Sequence, residues 1–214
     1  MGRKKTLSDE ELLNVARKIF VEVGFAASTK EIARRASVSE SLIFQRFSTK
    51  EDLFFAAMIP PAANLSDLFH HSKLKGSQLI EQVVLAMTEY FRLTLPLLIP
   101  LMSHPSFHFE DFAARHPESS LSTLRKELVG FVIREQVKGT IGKVDPGAAA
   151  LQLWAAAHTV AFLEHLGAYQ GHFPESLLRG AVECMWQGLK SGCNDQPEVE
   201  ENRAHLNPNL YPTS

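Results

Sequence analysis

Cysteine is nearly absent: Cys184 and Cys193 are the only two among 214 residues. Two thiols at that spacing match no zinc-ligand pattern and form no disulfide framework, so they read as reduced side chains. Long hydrophobic runs are also missing. The uncharged stretch Leu93 to Met102 is broken by Pro96 and Pro100, and a membrane-spanning helix needs about twenty apolar residues. No membrane partner is expected. Met1 to Leu7 is basic but leads into Ser8, Asp9, Glu10 and Glu11 and not into the apolar core of a secretory signal. Cytoplasmic residence is the expectation. There is no G-x-S-x-G elbow, P-loop, G-x-G-x-x-G or H-E-x-x-H, and no internal repeat. Nothing assembles a nucleophile, a phosphate cradle or a catalytic metal, so neither an enzyme nor a cofactor is expected.

What is present is a chain with 45% hydrophobic residues, enough to bury a sizeable core. The formal net charge of -2 is unevenly placed: Met1 to Phe55 carries ten Lys/Arg against eight Asp/Glu, and the rest carries twelve against sixteen. The modest positive excess therefore sits at the N-terminus, where it favours a polyanionic partner.

The apolar period is helical throughout. Leu12, Val15, Ala16, Ile19, Phe20 and Val23 share one helix face. Ser8 with Glu11 reads as a capping-box start and Gly24 as the stop, giving a helix from about Asp9 to Val23. Ser28 with Glu31 reads as a second box, opening a short helix with Ile32, Ala33 and Ala36 inward; Ser39 caps a third helix reaching Phe47. Ser48 with Glu51 reads as a further box, starting a fourth helix over about Lys50 to Ile59, which Pro60 and Pro61 end. Later helices are expected at about Ser77 to Leu95, Ser106 to Arg115, Ser119 to Lys138, Asp145 to Tyr169 and Pro174 to Lys190, with Asp145 and Pro146 as cap and first helical residue. From Ser191 the chain turns polar. The expectation is an all-α fold: residues 1–55 as a three-helix head, 56–190 as a helical body and 191–214 as a polar tail.

The segment STKEIARRASVSESLIFQRFSTKEDLF, Ser28 to Phe54, has helix-turn-helix spacing. It resembles the tetracycline-repressor (TetR) family through Thr29, Ile32, Ala33, Ala36, Val38, Ser39, Ile43, Phe47, Lys50, Glu51 and Leu53, with the Gly24-Phe25 ending of the first helix also in place. About the first 55 residues carry the likeness. Three positions depart from it. Ser37 replaces the usual turn glycine, where a left-handed non-glycine residue costs roughly 1 kcal/mol. Ser41 replaces a frequent glycine, and Phe44 a tyrosine whose hydroxyl meets a phosphate. The resemblance implies a homodimeric repressor, a near-palindromic double-stranded DNA operator and a small-molecule effector bound by the body.

On side-chain chemistry, Glu40, Ser41, Leu42, Gln45 and Arg46 are the candidate base readers of the third helix, since Gln pairs with adenine and Arg with guanine edges. Phe44 is expected to pack on the sugar backbone. Thr29, Lys30, Ser39 and Lys50, at or beside helix N-termini, are candidate phosphate contacts. Arg3, Lys4 and Lys5 read equally well as a DNA-touching arm or a solvated tail.

In the body, Met87, Phe91, Leu95, Phe107, His108, Phe112, Phe131, Trp154 and His158 are candidate lining for an apolar or amphipathic effector, although aromatic residues at helical spacing are more often core. The motivation is Pro96, expected to interrupt its helix and leave room between neighbours. Ala149, Ala156, Ala157, Leu177, Leu178, Met185, Trp186 and Leu189 on the last two helices are candidate dimer contacts. His104, His108 and His116 lack a convincing ligand set, so no metal is expected. The same bundle also suits a helical adaptor or small-molecule carrier without DNA binding.

Overall fold

The computed structural model describes residues 7–63, 65–116, 121–170 and 173–191. The Arg3-Lys4-Lys5 cluster, the Ser119 helix start, Cys193 and residues 192–214 of the polar tail lie outside them. Among the described residues every regular element is helical: α1 Asp9–Val23, α2 Thr29–Ala36, α3 Glu40–Arg46, α4 Lys50–Met58, α5 Ser66–His71, α6 Gly76–Met102, α7 Phe109–Arg115, α8 Leu121–Val137, α9 Pro146–His165 and α10 Glu175–Ser191.

Local chemistry explains most boundaries. At α1 both halves of the capping box form: the Glu11 amide donates to Ser8 Oγ at 3.1 Å, and the Ser8 amide to Glu11 Oε2 at 2.9 Å. Gly24, at φ 74°, ends α1. The second expected box does not close. Ser28 Oγ accepts from the Lys30 amide at 3.2 Å, while Glu31 turns along the helix to Arg34 and Arg35. The third is shifted by one residue, to Thr49 and Asp52. Both threonine and aspartate cap well, so the alternatives Ser48/Glu51 and Thr49/Asp52 are nearly equivalent in sequence.

Two cores organise the chain. Leu12, Ile19, Phe20, Ile32, Ile43, Leu53 and Phe54 centre the first, and Ile80, Val84, Met87, Phe91, Leu128, Phe131 and Leu153 the second. α6 belongs to both. Its residues up to Leu95 fill the second core, whereas Leu97, Leu98 and Leu101 are buried in the first. This overturns the expected break at Pro96: α6 runs unbroken past Pro96 and Pro100 to Met102. A proline inside a helix costs about 3 kcal/mol, so Pro96 and Pro100 together cost about 6, which burying three leucines at about 1.5 to 3 kcal/mol each matches in size. By length and composition α6 is apolar enough to cross a membrane, but 56% of that window is buried inside the fold.

α6 packs most extensively on α9, which is capped by Asp145 Oδ1 accepting from the Ala148 amide at 2.6 Å. α9 stops four residues before Tyr169, with Gly167 at φ 72° just beyond its end. α7 begins at Phe109, three residues later than expected. The short α5 was not anticipated. α10 lies across the start of α6, where the Trp186 indole covers Gly76: a β-carbon there would stand 3.4 Å from Trp186 Cζ2. Gly76 also sits at φ 60°, so the demand for glycine there is conformational, and the Trp186 contact would be an ordinary one.

Candidate nucleic-acid interface

α2 and α3 are joined by Ser37, whose left-handed backbone, φ 56° and ψ 38°, makes the turn. The strain at this non-glycine residue is local, and the buried Ala33, Ala36 and Ile43 hold the helices on either side. Ser39 Oγ then accepts from the Leu42 amide at 3.2 Å and fixes the start of α3.

One face of α3 is open to solvent. Ser41, Phe44 and Gln45 are exposed, and Leu42 is half-buried. Ser41 Oγ lies 2.9 Å from Ser39 Oγ. Glu40 is engaged: Thr29 Oγ1 donates to its Oε1 at 2.5 Å, which ties the first turn of α2 to that of α3. The two residues assigned from sequence to base and phosphate contacts therefore satisfy each other.

Arg46 departs further from its expected place. Its side chain is 17% exposed and runs back to α1, where Nη1 stands 3.0 Å from Asp9 Oδ1, without the alignment of a hydrogen bond. In this arrangement Arg46 is engaged with α1 and is less exposed than Ser41, Phe44 and Gln45. Spacing along α3 gives the direction of Cα–Cβ but cannot disclose that a long side chain finds a carboxylate on α1.

At the edges of this face, Lys30 is exposed, and Lys50 lies with Nζ 4.6 Å from the centroid of Phe25. Along α2, Glu31 accepts from Arg34 Nε and Nη2 at 2.7 Å and from Arg35 Nε at 2.8 Å, and Arg35 also reaches Glu22. Hydrogen bonds from Arg34 and then Arg35 hold the Glu31 carboxyl at a pKa of about 2.

His104, just beyond α6, packs against the first core. Its ring packs on Phe25 at 4.5 Å, Phe55 at 5.2 Å and Phe54 at 5.5 Å, and its Nδ1 accepts from the Ser106 amide at 3.3 Å. Its seat among these rings had no sequence signal, since Phe25 and Phe54 are distant in the chain.

The expected effector residues do not converge on one cavity. Met87, Phe91, Leu95 and Phe131 are close-packed core. Trp154 and His158 flank Phe91 at 4.9 and 5.2 Å, and burial pushes the His158 imidazole below the usual histidine range. Phe107, His108 and Phe112 instead line a cleft of about 430 Å³ facing α4, with Glu51, Asp52, Arg115 and His116.

The expected dimer residues are also divided. Ala149, Ala157, Leu178 and Leu189 are covered by their own chain and cannot face a second copy, while Ala156, Met185 and Trp186 are half-buried against the body core. Leu177 alone of that set is exposed; its neighbours in exposure are Leu151, Phe162 and Leu166 on or beside α9, and Ala181 and Cys184 on α10. α9 is apolar on nearly every side, so its period does not distinguish its inner from its outer face.

Residues 12–57 match the sequence model described as bacterial regulatory proteins, tetR family. In three dimensions the chain is similar to a Rhodococcus sp. RHA1 protein of unknown function, with 21% identity over 88% of this chain and 100% of that one, at a TM-score of 0.65. It is also similar to a TetR family transcriptional regulator from Pseudomonas syringae pv. tomato (21% identity, 85% and 94% covered, TM-score 0.56). A third similar structure is the flavonoid-responsive regulator FrrA (21% identity, 85% and 94% covered, TM-score 0.56). The left-handed turn at Ser37 and the open face of α3 lie within the residues that match the tetR family model, and the chain shares its all-α fold with these solved structures.

Proposed function

We propose that the chain is a dimeric DNA-binding transcriptional regulator whose α3 enters the major groove of an operator. The observation that carries this reading is the exposed trio Ser41, Phe44 and Gln45 on a short helix whose opposite side, at Ile43, is fully buried. Such a helix is rigidly held and has free polar and apolar groups for base edges and sugar. Gln45 and Ser41 read bases, Leu42 and Phe44 make apolar contacts, and Lys30 and Lys50 neutralise phosphates. Thr29 and Glu40 set the angle between α2 and α3. The division at residues 55 and 56 separates DNA-binding and regulatory roles in this proposal, although Ala57 and Met58 pack in the first core.

Dimerisation falls to the exposed side of α9 and α10. Phe162, Leu166 and Leu177 are exposed apolar side chains that a two-fold related copy would cover. Repression with release by a small molecule is supported by the path of α6, which carries both cores: an effector that favours a displaced α6 would move the head with it. The flavonoid-responsive neighbour lends the same support. Release extends only as far as the effector's differential affinity for the two arrangements.

Selection from a random pool of 30-base-pair duplexes tests the reading. A near-palindromic motif is expected, with half-sites about one helical turn apart or a multiple of it. An adaptor or carrier would enrich none.

A further inference from the structure

The body contains a second recess, between α7, α8 and α9, whose chemistry is narrower than that of the cleft facing α4. It is an open recess of about 480 Å³, within the roughly 300 to 1,000 Å³ of small-molecule sites. Phe109, Leu121, Ala150, Leu151 and Trp154 make its walls, and among the described residues the guanidinium-bearing Arg125 is the one charged residue lining it. Arg125 is exposed and makes no ion pair or hydrogen bond among the described residues. Asp145, the carboxylate at the start of α9, is occupied in capping Ala148. The cleft facing α4 is different, because Glu51 and Asp52 there oppose Arg115.

We infer that the α7–α8–α9 recess binds an apolar carboxylate, with the hydrocarbon against Trp154, Leu121 and Leu151 and the carboxylate on the Arg125 guanidinium. An arginine presents paired N–H donors matched to the two oxygens of a carboxylate. A neutral ligand leaves that fork with water alone, and an ammonium ion is repelled by it. The five apolar walls favour a ligand whose bulk is hydrocarbon, either aliphatic or aromatic. The inference rests on the proposed regulatory function only for its consequence, that occupancy is linked to DNA binding.

Isothermal titration of the full chain with decanoate and with 2-naphthoate, against 2-naphthalenemethanol and 2-naphthylmethylammonium, tests the site and its charge preference. Saturable binding of at least one carboxylate is expected, tighter than the alcohol and the ammonium ion and weakening with added salt. Arg125→Gln, at an exposed position, should weaken carboxylate binding at least tenfold and leave the alcohol and the circular-dichroism melt unchanged. Leu151→Glu should weaken the carboxylates and strengthen the ammonium ion. No saturable heat at millimolar carboxylate, equal affinity for the alcohol, or carboxylate binding indifferent to Arg125→Gln would overturn the inference. Repeating the titration with the selected duplex reads the regulatory function separately: carboxylate binding that needs Arg125 but ignores the duplex supports the site and contradicts ligand release.

Discussion

Thr29 Oγ1 donates to Glu40 Oε1 at 2.5 Å, so the N-terminal turn of α2 and that of α3 are joined by a single charge-assisted hydrogen bond. The bond occupies the Thr29 hydroxyl and leaves the Glu40 carboxylate at the edge of the proposed DNA-binding face. Glu40→Ala should therefore act in two directions. Head stability should fall by about 1 kcal/mol, for one lost hydrogen bond, while affinity for arbitrary duplex rises as a negative charge is removed. Urea unfolding and salt-dependent fluorescence anisotropy measure the two effects. A fall in both would mean that Glu40 contacts bases.

The ion pair of Arg46 with Asp9 leads to a different expectation. Arg46→Ala and Asp9→Ala should each destabilise the head by about 0.5 to 1 kcal/mol, with a coupling of the same order in a double-mutant cycle. Any loss of DNA affinity in Arg46→Ala should be uniform across sequences. A change of base preference at one position would show that Arg46 leaves Asp9 to read a base.

Arg92 and Glu164 clasp α6 to α9. Nε and Nη2 of Arg92 donate to the two oxygens of Glu164, each at 2.6 Å, and Oε1 of Glu164 also accepts from the Phe173 amide at 2.7 Å. Glu164 is nearly buried and Arg92 is about one-third exposed. Arg92→Ala should cost about 2 to 3 kcal/mol, less than the roughly 3 to 5 for breaking a fully buried pair. Denaturant unfolding with an unchanged m-value measures it; a loss under about 0.5 kcal/mol contradicts the clasp.

Two titrations are set by position. The Glu31 carboxyl is held at about 2 by Arg34 and Arg35, below its ordinary 4.5, so its contribution is complete above the unfolded value and is lost as pH falls from there through about 2. An NMR titration of the Glu31 side chain should show the low midpoint, and Arg34→Ala should raise it. His158 is pushed in the opposite sense to a paired histidine: burial favours its neutral form. The unfolded chain thus binds a proton more readily, so stability should decline as pH drops below about 6.5. His158→Gln should flatten that decline.

The helices of the head were legible from short-range signals, because local rules govern where they start and stop. Ser8 with Glu11, the helix break near Ser37 and the Ser39 cap all act within a few residues, and the structure keeps them. Where two caps were nearly equivalent, at Ser48 and Thr49, spacing could not choose. The body was legible only as helices. Pro96 misled because its local cost is outweighed by Leu97, Leu98 and Leu101 packing on a core formed by residues far away in sequence. The engagement of Arg46 by Asp9 and of Glu40 by Thr29 failed to register for the same reason: each depends on how helices are placed, and no periodicity encodes that.

The central claim is that α3 reads DNA through its open face, and Gln45 is the polar side chain most clearly free to do so. Parallel selections from one random duplex pool, with the unaltered chain and with Gln45→Ala, test it most directly. The account predicts a near-palindromic motif for the former. For Gln45→Ala it predicts the same motif with preference relaxed at one symmetric pair of positions, by about 1 to 3 kcal/mol per contact if that contact is bidentate. Identical motifs from both proteins, or no enrichment from the unaltered chain, would contradict it.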